Sequence, residues 1–130
     1  MASPNFHPDV ADAALAKIAT CTRVDACHTE PTNLTEATTT YTVGNYTLTA
    51  GAGNGDWVIA NGDTSGRKIS LTQQTGNNGT ATGAADYLAF SDGSTLLFVM
   101  DGDGDTVNSG SPFTINAAKV FEINQPTNDA

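Results

Sequence analysis

The stretch Lys68-Ile69-Ser70-Leu71-Thr72 alternates polar and apolar side chains over five residues. Successive side chains of a β-strand point to opposite faces of the sheet, so a polar/apolar alternation places one set in the core and the other in water. We therefore expect Ile69 and Leu71 on a buried face and the three polar residues on a solvated one. The stretch predicts a strand in an antiparallel sheet with one wet face.

The same type of sequence continues on both sides of this strand. From residue 21 onward the chain is rich in Thr, Val, Tyr, Ile and Phe, interrupted by Gly, Asn and Asp. Asn61-Gly62, Asp92-Gly93 and Asp101-Gly102 supply residues that tolerate positive φ where the chain must reverse. We predict eight strands, at residues 23–28, 38–43, 46–50, 57–60, 68–73, 87–90, 95–100 and 113–123, the last one broken. The chain is thus expected to be mainly β, a single antiparallel β-sandwich or small barrel.

The residues before this β-rich region follow a helical pattern instead. Pro8 and Asp9 are typical of a helix start, and Ala11, Leu15 and Ile18 recur at helical spacing on one face. We predict one short N-terminal helix at about residues 9–20, which must dock on the sheet because an isolated helix of this length is marginal in water. Residues 1–8 are expected to form a flexible N-terminal arm, and residues 9–130 a single domain.

Size and charge exclude several classes of protein. A chain of 130 residues, of which 38% are hydrophobic, can bury a core without a metal or disulfide framework. Fourteen acidic residues against five basic ones give a net charge of −9, and the bases are scattered. This argues against binding to nucleic acid, which requires clustered Lys and Arg. The first twenty residues contain no apolar run typical of a signal peptide or membrane span, so we expect a chain made in the cytoplasm without a membrane partner.

The two cysteines are not spaced for a disulfide on one strand. If the residues between Cys21 and Cys27 are extended, their α-carbons lie about 20 Å apart, which is beyond disulfide reach. We therefore expect two free, half-buried thiols. A zinc site built from these cysteines and His28 fails on the same geometry and lacks a fourth ligand.

The sequence offers little material for catalysis. Only two histidines are present, His7 in the predicted arm and His28 directly after Cys27. Neighbouring side chains on a strand point to opposite faces, so Cys27 and His28 do not form a nucleophile–base pair. We predict a protein that is not an enzyme, with no catalytic residues and no cofactor.

One acidic cluster stands out, Asp101-Gly102-Asp103-Gly104-Asp105. Alternating carboxylates can converge on calcium when a loop curls, but the spacing does not match an EF-hand and the motif occurs once. We expect a solvated hairpin tip and no metal site, with calcium binding by Asp101, Asp103 and Asp105 left as an alternative.

The single tryptophan, Trp57, has two interpretations. It follows a Gly/Asn-rich loop and begins a predicted strand, where an exposed aromatic ring would suit contact with a sugar or a partner. Because Val58 and Ile59 beside it are strongly apolar, we expect instead a core tryptophan that closes one end of the sandwich.

Three segments of the chain resemble small virion proteins of tailed bacteriophages. Residues 11–31 join an Ala-rich helix to Thr22-Arg23-Val24-Asp25-Ala26-Cys27 and end in Glu30-Pro31. Residues 60–69 are similar to the Asn-Gly-Asp-x-Ser-Gly-Arg-Lys-Val stretch of those proteins. Residues 79–123 present the order of short motifs found in a β-sandwich module of phage structural proteins. The chain departs from the family at Ala85-Asp86, where a His commonly precedes the strand, and at residues 101–105, which look like an insertion.

The resemblance implies a structural role in the virion. The expected function is that of a capsid decoration, or cement, protein that binds the major capsid protein on the outer surface of the phage head and stabilises the shell. It is expected to self-associate, as a homotrimer matching three-fold positions, with the arm adding a strand to an open edge of a neighbour. The alternatives are a tail-fibre or receptor-binding module that contacts a surface glycan through exposed Trp57, Tyr41 and Tyr46, and a calcium-stabilised adhesin or small hydrolase.

Overall fold

A single α-helix opens the part of the chain that the computed structural model describes, residues 5–126. Helix α1 spans Pro8–Ile18, and the Nδ1 atom of His7 caps it by accepting a hydrogen bond from the backbone N–H of Asp9 at 3.1 Å. Of the predicted arm, residues 1–4 lie outside the described residues. Phe6 exchanges two hydrogen bonds with the side chain of Gln125: its N–H donates to Oε1 at 3.0 Å, and its carbonyl accepts from Nε2 at 2.8 Å.

The described chain forms nine strands, all paired antiparallel. They are β1 (Arg23–Cys27), β2 (Thr42–Thr47), β3 (Trp57–Asn61), β4 (Arg67–Leu71), β5 (Gly83–Ala84), β6 (Tyr87–Ser91), β7 (Leu96–Asp101), β8 (Thr106–Val107) and β9 (Ala118–Ile123). One sheet has the order β2-β1-β6-β7, a second has the order β3-β4-β9, and β5 pairs with β8. The predicted mainly β, antiparallel fold with one short helix near the N-terminus is confirmed, in the form of a small β-sandwich.

The core lies between the four-stranded and the three-stranded sheet. Ile69 and Leu71 are both buried, as the alternation of their strand predicts. They share the core with Val24 and Phe90 from the opposite sheet. Helix α1 docks as predicted, with Leu15 fully buried in the same cluster.

A π-helix replaces part of one predicted strand. The prediction of a strand over residues 38–43 is wrong for its first half, because Glu36–Thr40 form a π-helix that covers the outer face of the four-stranded sheet. Its start is fixed by two hydrogen bonds between side chains and the backbone. The side chain of Asn33 accepts from the N–H of Glu36 at 2.8 Å, and the Glu36 carboxylate accepts from the N–H of Thr32 at 2.8 Å. Ala37 then packs against Cys27 and the sheet, so local capping and burial outweigh the strand propensity of the threonines.

The last predicted strand, 113–123, is a strand only in its second half. Residues before β9 cross the end of the sandwich in irregular backbone, held by isolated bridges between Gln74 and Ile115 and between Asn78 and Pro112. The ring of Phe113 lies over Gly44, where a Cβ atom would stand 2.5 Å from Cε1 of the ring. This close approach requires glycine at position 44, and the irregular segment thereby closes one end of the core.

Candidate interaction surface

The two histidines lie far from any catalytic arrangement. His7 caps helix α1, and His28 is exposed with its Nδ1 atom 2.8 Å from Oγ1 of Thr29. Cys27 is buried and donates from Sγ to the carbonyl of Ala37 at 3.4 Å, so it points away from His28. Among residues 5–126, no group of three or more His, Cys, Asp or Glu side chains is placed to hold a metal ion.

Both cysteines are free, and both are more deeply buried than the predicted half-buried state. Burial, with a smaller contribution from the nearby carboxylate of Asp92, raises the pKa of Cys21 to about 12. Burial likewise raises the pKa of the Cys27 thiol to about 12, with Asp25 adding to the effect. The thiols are thus neutral packing groups at physiological pH.

We expect neither thiol to react with iodoacetamide in the folded protein at pH 8, and both to react in urea. Only about one in 10⁴ thiols with such a pKa is ionised at that pH, and the thiolate is the reactive form. The pKa of each cysteine is higher in the folded protein than the unfolded value of 9.0. The two neutral thiols therefore contribute their full stabilisation of the fold below pH 9, and this contribution is lost as the pH rises from 9 towards 12. Intact mass spectrometry measures the labelling. Denaturant titrations at several pH values measure the free energy of unfolding. Labelling of the native protein at the unfolded rate would contradict the prediction.

The aromatic residues considered for glycan contact are mostly in the core. Trp57 is fully buried, and its Nε1–H donates to the carbonyl of Cys21 at 3.2 Å. Tyr46 is 4% exposed, and its hydroxyl donates to the carbonyl of Phe113. The interpretation of Trp57 as a core residue is confirmed, whereas the expectation of exposed Trp57 and Tyr46 in a receptor-binding module is wrong. Only Tyr41 of that set is partly accessible.

Residues 60–69 form the β3–β4 hairpin. The N–H groups of Asp63 and Thr64 donate to the Glu122 carboxylate at 2.9 and 3.2 Å, and Lys68 and Lys119 pair with Asp63. These backbone hydrogen bonds lower the pKa of Glu122, and the hydrogen bonds from the two lysines lower that of Asp63. The charged side chains of this segment therefore hold the hairpin against β9.

Strand β7 leaves one edge of the four-stranded sheet open. It pairs with β6 on one side only, and within residues 5–126 no other group hydrogen-bonds to its main chain. The opposite edge strand of the same sheet, β2, is covered. Thr80 donates its N–H to the carbonyl of Val43 at 2.7 Å, and Asn77 donates from Nδ2 to the carbonyl of Asn45 at 3.0 Å. The two edges of one sheet therefore differ in their availability to a partner.

Most of the open edge lacks the charged side chains that usually protect an edge strand. Soluble proteins protect such strands with charged residues, proline or bulges, because the unpaired main chain is a template for another strand. Strand β9, an edge of the second sheet, carries Lys119, Glu122 and a bulge. Strand β7 has a bulge at Leu97 and ends in exposed Asp101, but its other residues are all apolar. They read Leu96-Leu97-Phe98-Val99-Met100, and all five are only half-buried.

An exposed aromatic ring extends this apolar edge onto the second sheet. Phe121 of β9 lies opposite the core residue Ile69 yet is 46% exposed, because β9 is the last strand of its sheet. Its ring meets Phe98 of β7 edge to face, with centroids 5.5 Å apart. The strand β7 and Phe121 together form a continuous apolar surface, which we call the β7 edge surface.

The acidic segment 101–105 is not the solvated hairpin tip that the sequence suggested. After Asp101 the chain continues antiparallel to residues 83–86: Gly102 and Gly104 donate their N–H groups to the carbonyls of Asp86 and Ala85 at 2.8 and 2.9 Å, and β8 then pairs with β5. This pairing places the three carboxylates Asp101, Asp103 and Asp105 at the mouth of a cavity of about 290 Å³. The cavity lies between β7, β8 and the irregular segment that precedes β9.

Comparison with known proteins finds no match: no family model, no curated protein and no solved structure is similar to this chain. None of the helices within residues 5–126 is long and apolar enough to cross a membrane.

Proposed function

We propose that this chain is a non-enzymatic structural protein of a bacteriophage virion, a decoration protein that binds the major capsid protein on the outside of the head and stabilises the shell. The observation that carries the proposal is the β7 edge surface: an open strand edge with five consecutive apolar residues, in a sheet whose opposite edge is covered. The resemblance of residues 11–31, 60–69 and 79–123 to phage virion proteins supplies the biological setting.

An open strand edge suits attachment to a large assembly. A strand from a capsid subunit that aligns with β7 would gain main-chain hydrogen bonds along the edge, while the alternating side chains provide specificity. Burial of a large apolar side chain such as Phe121 contributes about 1.5–3 kcal/mol. The interface thus combines directional hydrogen bonding with apolar burial, and neither requires a preformed pocket.

Repetition on the shell strengthens a modest single contact. Self-association into a trimer would match three-fold positions of an icosahedral head and engage several capsid subunits at once. Linked binding events raise overall retention well above the affinity of one site. The protein would thereby oppose separation of neighbouring capsid subunits, and no bond is made or broken.

The proposal is tested by binding purified protein to phage heads that were assembled without it. We expect Phe121→Lys to weaken binding at least tenfold, about 1.4 kcal/mol, because it removes the aromatic anchor and places a charge beside the open strand. The matched control is Val58→Lys, since Val58 is 44% exposed on β3, the opposite edge strand of the same sheet. Co-sedimentation with heads gives the affinity, and circular dichroism shows that each variant is folded.

A second variant, Val99→Lys, places the charge on β7 itself and keeps the test independent of one side chain. Unchanged head binding by both folded β7 edge variants overturns the proposal, as does equal weakening by Val58→Lys. Quantitative mass spectrometry of purified particles should find hundreds of copies per virion. A few to a few dozen copies would assign the protein to the tail instead.

A further inference from the structure

The cavity beside residues 101–105 is lined by eight apolar residues and by six polar ones, Thr106, Thr114, Asn116 and the three aspartates. Leu88, Val107, Phe113 and Ile115 are buried core residues that form its floor, and Met100 of β7 contributes to one side. Asp101, Asp103 and Asp105 are exposed at the rim. The site is therefore amphipathic, and a ligand that fills it must be apolar at its inner end or along its stem and positively charged near the rim.

None of the lysines and arginines of this chain forms a salt bridge with the rim carboxylates. All five lysines and arginines lie within the described residues, and four of them pair with other carboxylates: Arg23 with Asp25, Arg67 with Asp12, and Lys68 and Lys119 with Asp63. Within residues 5–126, none of the three rim aspartates forms a salt bridge, and the only side-chain hydrogen bond among them joins Asn116 to Asp103. The rim thus carries a charge of −3 that is open to an external cation.

The shape and size of the cavity decide which cation fits. A metal ion is disfavoured because the three carboxylates are not gathered into a ligand set. The volume of about 290 Å³ lies at the lower end of the range for small-molecule sites, and is about ten times the volume of a water molecule. It suits one extended side chain better than a larger ligand.

We propose that this cavity binds the side chain of an arginine presented by a partner protein. The aliphatic stem of arginine packs against apolar walls while its head stays at a polar boundary. Its planar guanidinium carries five donors and is weakly hydrated, so it can reach more than one of the separated carboxylates, whereas an ammonium group acts as a point charge. The inference goes beyond the proposed function, because it concerns a separate site and holds whichever protein supplies the arginine.

The probe for this test is N-acetyl-arginine amide, titrated into the ¹⁵N-labelled full chain and followed by amide chemical shifts. We expect saturable shifts confined to the cavity residues, such as Ala85, Val107, Ile115 and Ala118, with a low-millimolar Kd that weakens as salt is added. N-acetyl-citrulline amide, which has the same shape without the charge, should bind at least fivefold more weakly. Putrescine, a free diamine, should also bind more weakly than the arginine probe.

Two variants separate the charge of the rim from the shape of the cavity. Asp105→Asn removes one rim carboxylate and should weaken binding at least threefold, whereas Glu30→Gln removes an exposed carboxylate elsewhere and should leave the Kd unchanged. Ala118→Leu fills the cavity from β9 and should abolish the shifts; if that variant does not fold, Asp105→Asn still decides the test. Absent or diffuse shifts, equal binding of the citrulline probe, tighter binding of putrescine, or unchanged binding to Asp105→Asn each overturns the proposal. The β7 edge variant Phe121→Lys should bind the probe normally, so failure here is distinguishable from failure of the proposed head binding.

Discussion

Arg23→Met is expected to lower the free energy of unfolding by about 3–5 kcal/mol, because it leaves a buried carboxylate without its charged partner. Asp25 is 1% exposed and accepts two hydrogen bonds from Arg23, at 2.8 and 2.9 Å, and one from the Thr42 hydroxyl at 2.9 Å. The hydrogen bonds to Asp25 raise the pKa of the Arg23 guanidinium above its usual value. Arg23 also donates to the carbonyl of Thr38 at 3.3 Å, so the same side chain ties the π-helix to β1.

Arg67→Met is the matched control for this prediction. Arg67 pairs with Asp12 at 2.7 Å, but Asp12 is 33% exposed, so water can solvate the carboxylate once its partner is removed. We expect a loss of about 1 kcal/mol for the control. The double variant Arg23→Met/Asp25→Leu should recover much of the stability, because no unpaired charge is then buried. Urea denaturation followed by circular dichroism measures all three, and equal losses for Arg23→Met and Arg67→Met would rule out the buried-charge explanation.

Trp57→Ala is expected to cost about 3–5 kcal/mol of stability, the usual range for removing a large buried aromatic side chain. The indole ring lies between the sheets, with its centroid 5.4 Å from that of Phe90. Its truncation leaves a cavity at the centre of the core. It also removes the hydrogen bond to the Cys21 carbonyl, which is then left without a donor.

Val58→Ala is the control for the tryptophan variant, since Val58 lies next in the same strand with its side chain on the opposite, exposed face. We expect it to cost less than about 1 kcal/mol. Thermal unfolding by circular dichroism compares the two variants with the parent. A Trp57→Ala variant with the same melting temperature as the parent would show that the ring does not stabilise the core.

The periodic parts of the chain were predictable because their signal is local. The alternation around Ile69 and the helical spacing of Ala11, Leu15 and Ile18 each report one buried face, and the structure buries Ile69, Ala11 and Leu15 as predicted. The spacing of Cys21 and Cys27 along an extended chain is too long for a disulfide, and it correctly predicted free thiols. In each case neighbouring residues alone contain the information.

The π-helix was missed although a local signal was present. Asn33-Leu34-Thr35-Glu36 has the polar–x–x–acidic pattern of a helix cap. The Asn33 side chain accepts from the N–H of Glu36 as the pattern predicts, whereas the Glu36 carboxylate accepts from the N–H of Thr32 instead of that of Asn33. The β-branched threonines that follow favour a strand by propensity, and this preference is overridden by the burial of Ala37 against the sheet. Attention to the cap would have identified the helical turn but not its π geometry.

Neither candidate surface could be located from sequence. The apolar run 96–100 predicts a strand, but whether that strand is central or lies at an edge depends on the order β2-β1-β6-β7, which arises from pairing between distant residues. The cavity likewise unites residues 85–88, 100–107 and 112–118, and the acidic segment lies at its rim because its backbone pairs with Ala85 and Asp86.

Side-chain periodicity thus established the β-rich class, the docked helix and the core positions of this protein, since burial of one face leaves a repeating trace along the chain. Long-range strand pairing decided which backbone edge stays open and which carboxylates surround a cavity. Such pairing depends on the total burial and hydrogen bonding of the folded sheets. Each short segment contributes only a small part of that total, so the pairing cannot be predicted from any one segment.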